Sequence, residues 1–85
     1  MKLHKTKFTK CGMVEVDFGR ADLTGSSFND CDLRNAVFDN TNLSKCDFHK
    51  AHNYIIDPES NKISKAKFSL LGIPGLLNKY DIEIE

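Results

Sequence analysis

The sequence predicts an all-β solenoid, a coil of four short sides that stacks on itself for about three to four turns and ends in a short helix and an edge strand. Three observations lead there. A large apolar residue, the centre, returns at every fifth position from Leu3 to Phe48; a small or compact residue stands two places before nearly every centre; and the Leu/Phe alternation has period ten, in a phase that reappears at Ile63 and Phe68.

The sides come first. Cut in fives, the stretch from Ala21 reads ADLTG SSFND CDLRN AVFDN TNLSK CDF. In an extended chain side chains alternate, so a centre and the residue two before it face the same way. Thr6, Cys11, Val16, Ala21, Ser26, Cys31, Ala36, Thr41 and Cys46 therefore point inward with the centres. The next small residue lies three places after a centre, an odd step that needs a corner, and polar pairs such as Thr24-Gly25, Asn29-Asp30, Arg34-Asn35 and Asp39-Asn40 are built to turn.

One coil cannot bury its own interior, but coils stacked about 4.8 Å apart can. The period of ten suits two or four sides per coil, and Ile63 and Phe68, twenty residues after Leu43 and Phe48, favour four. Phe8, Phe28, Phe48 and Phe68 then form one ladder, and Leu3, Leu23, Leu43 and Ile63 another. The expected core is Leu23, Phe28, Leu33, Phe38, Leu43, Phe48 and Phe68.

The units ADLTG, CDLRN, TNLSK and CDFHK resemble those of the pentapeptide-repeat family, whose pattern is A(D/N)LXX, over about residues 3 to 52. The resemblance implies a right-handed quadrilateral β-helix.

A single domain is expected, with regular repeats over 1–52 and an irregular loop over 53–62, where Asn53 and Pro58 occupy centre positions and Asp57-Pro58 suggests a turn. Repeats resume over 63–72 with ISKAKF, and 73–85 forms a C-terminal cap or dimerisation segment. Pro74 can open a short helix through Tyr80, and DIEIE alternates like an edge strand. The apolar residues after Phe68 exceed what a solvated tail needs, so part of them plugs the tube and part meets another chain. Leu76, Leu77 and Tyr80 are the dimerisation candidates. The ending also resembles that of quinolone-resistance pentapeptide-repeat proteins, in which a C-terminal helix and short strand pair two rods end to end.

At the other end Leu3 starts the ladder with no capping element before it, which leaves a strand edge open to pairing. Lys2, Lys5, Lys7 and Lys10 are placed to guard that edge; the same pattern also fits the C-terminal part of a longer solenoid.

The 85 residues have no net charge, but its distribution is uneven. Residues 1–10 hold four lysines and no acid, while residues 11–48 hold seven acids against three bases. No segment combines basic and aromatic residues as a nucleic-acid footprint would, so no direct nucleic-acid partner is expected. No apolar run is long enough to cross a membrane, and three cysteines without CxxC spacing suggest reduced thiols and a cytoplasmic protein.

Cys46, Asp47, His49 and His52 have a spacing that zinc could use, but the coil turns Cys46 inward and His49 outward, so no metal is expected. No phosphate loop, hydrolase elbow or carboxylate pair points to catalysis. The expectation is a non-enzymatic scaffold without cofactor that binds an unknown protein and forms a homodimer. The alternative implied by the resemblance is a DNA mimic that binds gyrase or another type II topoisomerase. Such a mimic needs a strongly negative surface, and Asp17, Asp22, Asp30, Asp32 and Asp39 are the candidates for an acidic partner face.

Overall fold

A computed structural model describes residues 2–84. Every strand pairing and bridge in it joins residue i to residue i+20 in parallel. The second side carries a four-stranded sheet in the order β1 (Lys7–Thr9), β2 (Ser27–Asn29), β3 (Asp47–Phe48), β4 (Lys67–Phe68). The other three sides show single bridges: Lys2, Asp22, Asn42 and Lys62 on the first, Gly12, Asp32 and His52 on the third, Asp17 and Val37 on the fourth. Four columns at an interval of twenty residues make the chain a four-sided β-helix.

The corners follow from the backbone. At seven corners the N–H of the residue three after a centre donates to that centre's carbonyl, as Ser26 does to Leu23 (2.9 Å) and Ala36 to Leu33 (3.0 Å); the Thr6 and Thr41 N–H groups donate instead to Ser26 Oγ (3.1 Å) and Asn61 Oδ1 (2.9 Å). The residue two after a centre sits at positive φ in ten units, from Lys5 (52°) through Lys45 and again at Lys65 (60°), the conformation that the third position of a type II turn takes. Asn35 and Asn40 tolerate that conformation; Lys5, Glu15, Arg20 and Lys45 hold it against their preference. The residue before a centre steadies the corner. Oδ1 of Asp17, Asp22, Asp32, Asn42, Asp47 and Asp57 accepts the backbone N–H two residues on, at 2.8 to 3.2 Å. This is why Asp or Asn recurs there.

The interior is two stacked aromatic ladders. Phe8, Phe28, Phe48 and Phe68 stack with ring centroids 4.9 to 5.4 Å apart, the spacing of the coils. Phe18 and Phe38 stack at 5.2 Å and meet the first ladder edge to face. Leu23, Phe28, Leu33, Leu43 and Phe48 are fully buried, Phe38 nearly so, and Phe68 is partly buried at the end of its ladder.

Polar members of the small inward columns cross-link successive coils. Ser26 Oγ donates to the Leu3 carbonyl (2.5 Å), Thr41 Oγ1 to Phe18 (2.9 Å), Cys46 Sγ to Leu23 (2.9 Å) and Asn61 Nδ2 to Phe38 (3.0 Å), each reaching back twenty-three residues. A compact side chain at these positions thus leaves room for the centres and also satisfies a carbonyl at the corner above.

Between residues 53 and 62 the inward small column keeps its phase while the centres fail. Ile56 and Asn61 remain buried, twenty residues after Ala36 and Thr41. Asn53, at a centre position, is exposed and takes φ 61°, and the neighbouring Tyr54 enters the interior instead. Its ring tilts against Phe48 (5.5 Å) and Phe68 (5.8 Å).

Candidate interaction site

After Phe68 the chain leaves the coil and closes its end. Ser69 caps a 3-10 helix over Leu70–Leu76, its Oγ accepting the Gly72 N–H at 3.1 Å. The helix starts before Pro74 rather than at it, because Ser69 already supplies the cap; a second 3-10 turn covers Asn78–Tyr80. The edge strand expected over DIEIE does not form at residues 81–84. Asp81 turns into the left-handed region (φ 51°), and the segment beyond it pairs with no strand among the described residues. Glu85 lies outside the described residues.

The first helix lies against Tyr54. A methyl group at Gly72 would run into the Tyr54 hydroxyl, and one at Gly75 into its carbonyl oxygen, so both contacts require glycine. The Gly75 carbonyl accepts the Ile56 N–H (3.1 Å) and Leu76 packs against the core. Outside, Lys79 Nζ bridges Asp57 (3.2 Å) and Glu59 (3.0 Å), and the Tyr80 hydroxyl donates to Glu59 Oε1 (2.6 Å). These contacts bring together the turn at 57–60 and the second helical turn. The hydrogen bond from Tyr80 and the Lys79 ammonium hold the Glu59 carboxyl below its usual range, and the Glu59 N–H and Lys79 do the same for Asp57. Lys79 and Tyr80 move the other way, both chiefly through their bonds to Glu59.

The expected dimerisation residues therefore separate. Leu76 belongs to the plug, Leu77 is half-buried beside a shallow groove with Pro74, Asp81, Ile82 and Ile84, and Tyr80 is exposed along its ring but tied by its hydroxyl. The most exposed apolar side chains are Leu70 and Leu71, at 89% and 94%, followed by Ile82, Ile55 and Ile84 at about half. Leu70 and Leu71 stood out in the sequence only as two of many apolar residues, since the repeat rule assigns no direction beyond the last coil.

The five candidate acids are not gathered on one face. Asp17 lies on the fourth side, Asp22 on the first and Asp32 on the third; Asp30 and Asp39 sit at different corners. Three of them hold corners through the backbone bonds above, and two have further partners. Asp22 bonds the Thr24 hydroxyl (2.6 Å) and His4 (2.6 Å), which together hold its carboxyl far below the usual range. Asp32 accepts from Asn53 (3.1 Å), the main cause of its lowered pKa, and lies 3.6 Å from Arg34.

The cysteines are free; Cys31 and Cys46 are fully buried and Cys11 partly. Burial raises the Cys31 thiol and pushes that of Cys46 up to about 11, which keeps both protonated and poorly nucleophilic. No group of metal-ligating side chains occurs among the described residues. No helix among them is long and apolar enough to cross a membrane.

The geometry defines a β-helical repeat protein plugged at one end. A family model described as "Pentapeptide repeat region" matches residues 1–73, and the chain belongs to the pentapeptide-repeat family. No match was found among curated protein sequences. Among solved structures, a trypsin-treated variant of QnrB1, a plasmid-mediated fluoroquinolone resistance protein, is 13% identical with a TM-score of 0.49, over 96% of this chain and 47% of that one. Full-length QnrB1 is 19% identical with a TM-score of 0.36, over 95% of this chain and 40% of that one. HetL, a pentapeptide repeat protein involved in heterocyst differentiation regulation from the cyanobacterium Nostoc, is 14% identical with a TM-score of 0.36, over 84% of this chain and 39% of that one. The chain spans less than half the length of these solved structures.

Proposed function

We propose that this chain is a non-catalytic, cytoplasmic binding scaffold that docks a protein partner and associates with itself through its C-terminal segment. The observation that carries the reading is the pair Leu70 and Leu71, almost fully exposed on a helix whose other contacts anchor it to the coil. Solvent contact of two adjacent leucines on an anchored element is unfavourable, and burial against a partner gains about 25 cal/mol for each Å² of apolar surface removed from water. Three free thiols are in keeping with a reducing compartment.

Sedimentation equilibrium across a concentration series tests this. The expected outcome is reversible association that Leu70→Glu with Leu71→Glu abolishes while circular dichroism stays unchanged. Association untouched by that pair would refute the role given to Leu70 and Leu71.

The alternative is a DNA-mimicking gyrase or topoisomerase binder. It needs a continuous anionic track, and the dispersed acids, three of them engaged in turns, speak against one. A gyrase supercoiling assay, with and without quinolone, separates the two. No effect at micromolar protein is expected, and protection or inhibition there would reverse the preference.

A further inference from the structure

The ends of the chain carry opposite charge. Four lysines and no acid occupy residues 1–10, whereas three acids and no base occupy residues 81–85. The basic stretch also includes β1, which among the described residues is paired on one side only. In every paired coil the residue before a centre turns its backbone toward the coil above: the Ser27 N–H donates to Thr6, Asp32 to Cys11 and Asn42 to Ala21. Lys7 holds that position in β1, the terminal strand of the sheet, so its N–H and C=O face away from the stack. Beneath that edge Leu3, Phe8 and Met13 are only partly buried.

The acidic end has the complementary pattern. Residues 81–84 alternate acid and isoleucine, so in extended form one face is apolar and the other anionic. Ile82 and Ile84 are 55% and 52% exposed, and the segment has no strand partner among the described residues. Four residues span about 13 Å as a strand, enough to cover one five-residue side of the coil.

We propose that residues 81–84 of one copy add as a strand to β1 of a second copy, so that the protein associates head to tail. The inference rests on the self-association proposed above and names the surface that receives the C-terminal segment. Pleating makes the match self-consistent. If Ile82 stacks over Phe8 in parallel, Asp81 lies opposite Lys7; if Ile84 does, Glu83 takes that place. An antiparallel Ile82 likewise sets Glu83 against Lys7. The rest of the first coil discriminates, because Lys2, Lys5 and Lys10 flank β1 whereas Glu15 and Asp17 on the later sides repel an acidic strand. Backbone pairing along an open edge supplies affinity, and the isoleucines complete the half-open interior. Such a contact joins two different surfaces and does not close on itself, so it builds chains rather than a symmetric pair.

Sedimentation velocity on the 85-residue chain and on charge variants tests it. Wild type is expected to grow past dimer with concentration. Lys7→Glu alone, and Asp81→Lys with Glu83→Lys alone, are each expected to weaken association at least about tenfold. Mixing these two variants restores both contacts, the intact tail of the first on the intact edge of the second and the reversed tail of the second on the reversed edge of the first, so growth past dimer returns only in the mixture. Combining all three substitutions in one chain reverses both surfaces and restores self-association. A wild-type dimer that Lys7→Glu leaves intact but Leu70→Glu with Leu71→Glu breaks would overturn the head-to-tail contact while sparing self-association. A wild type that stays monomeric throughout would overturn both.

Discussion

The first and the last coil of the described residues differ in how their interiors are covered. Below the last Phe ring, Tyr54 and a glycine-hinged 3-10 helix close the tube; above the first, Leu3, Phe8 and Met13 remain partly open behind a fringe of lysines. Between them, in the second and third coils, the same ladders are sealed to solvent. A repeat therefore specifies its middle and leaves the closure of its last coil to residues that break the pattern. Those residues are where the molecule has surface to offer another chain.

The largest effect should come from testing middle against end. Phe28 is fully buried with a ring stacked on either side, so Phe28→Ala is expected to cost about 3 to 5 kcal/mol. Phe8 has a ring on one side only and is half-buried, so Phe8→Ala should cost about half as much or less. Urea unfolding of both variants measures the difference; equal losses would mean that the N-terminal end is covered in solution.

The plug can then be broken on its own. Gly72→Val drives a side chain into the Tyr54 hydroxyl, and the helix must lift or Tyr54 must move, at a cost of about 1 to 3 kcal/mol. Faster hydrogen exchange at the Ile56 amide, which bonds Gly75, would report the lift, with the amides of the second coil unchanged. Tyr54→Phe should act in the opposite direction. Its hydroxyl is buried without a hydrogen-bond partner among the described residues, so removing it should leave stability unchanged or raise it by about 1 kcal/mol. A lower melting temperature would show that this oxygen is satisfied.

The coils were legible in the sequence because their cause is periodic. Five-residue spacing gave the sides, and the return of Ile63 and Phe68 gave the count of twenty that the bridges follow. The behaviour of Tyr54 was not legible, since a rule based on position assigns the interior to Asn53 and does not register that a neighbouring ring can swing in when a polar residue holds the centre. Nor did the rule distinguish Leu76, which turns inward, from Leu70 and Leu71, which turn outward. That choice depends on the Ser69 cap and on two glycines fitting around Tyr54, contacts between segments with no shared period. The acids were visible as residues but not as corner supports, because their backbone bonds exist only once the corners do.

The smallest effect concerns pH, and it too separates plug from coil. Asp57 and Glu59 have folded pKa values below their ordinary 3.8 and 4.5, so their contribution to folding is full above those values and is lost as acid protonates them in the folded state. Lys79 and Tyr80 are raised above 10.5 and 10.0, so theirs is full below those values and is lost as alkali deprotonates them. The plug's ion pairs thus operate from mildly acid to mildly alkaline pH and fail at both extremes. These groups are exposed and screened by solvent, so the change in global stability should be slight. The local change should be clear: below about pH 4 the Ile56 amide should lose protection before those of the second coil. Asp22 and Asp32 are also lowered, and they titrate in the second coil, so acid acts on both regions. The Lys79→Met variant isolates the plug. It removes both ion pairs at once, and if they anchor the helix it should reduce the pH dependence at Ile56, the bonds from Tyr80 to Glu59 and from the Glu59 N–H to Asp57 remaining, and leave that of the coils in place.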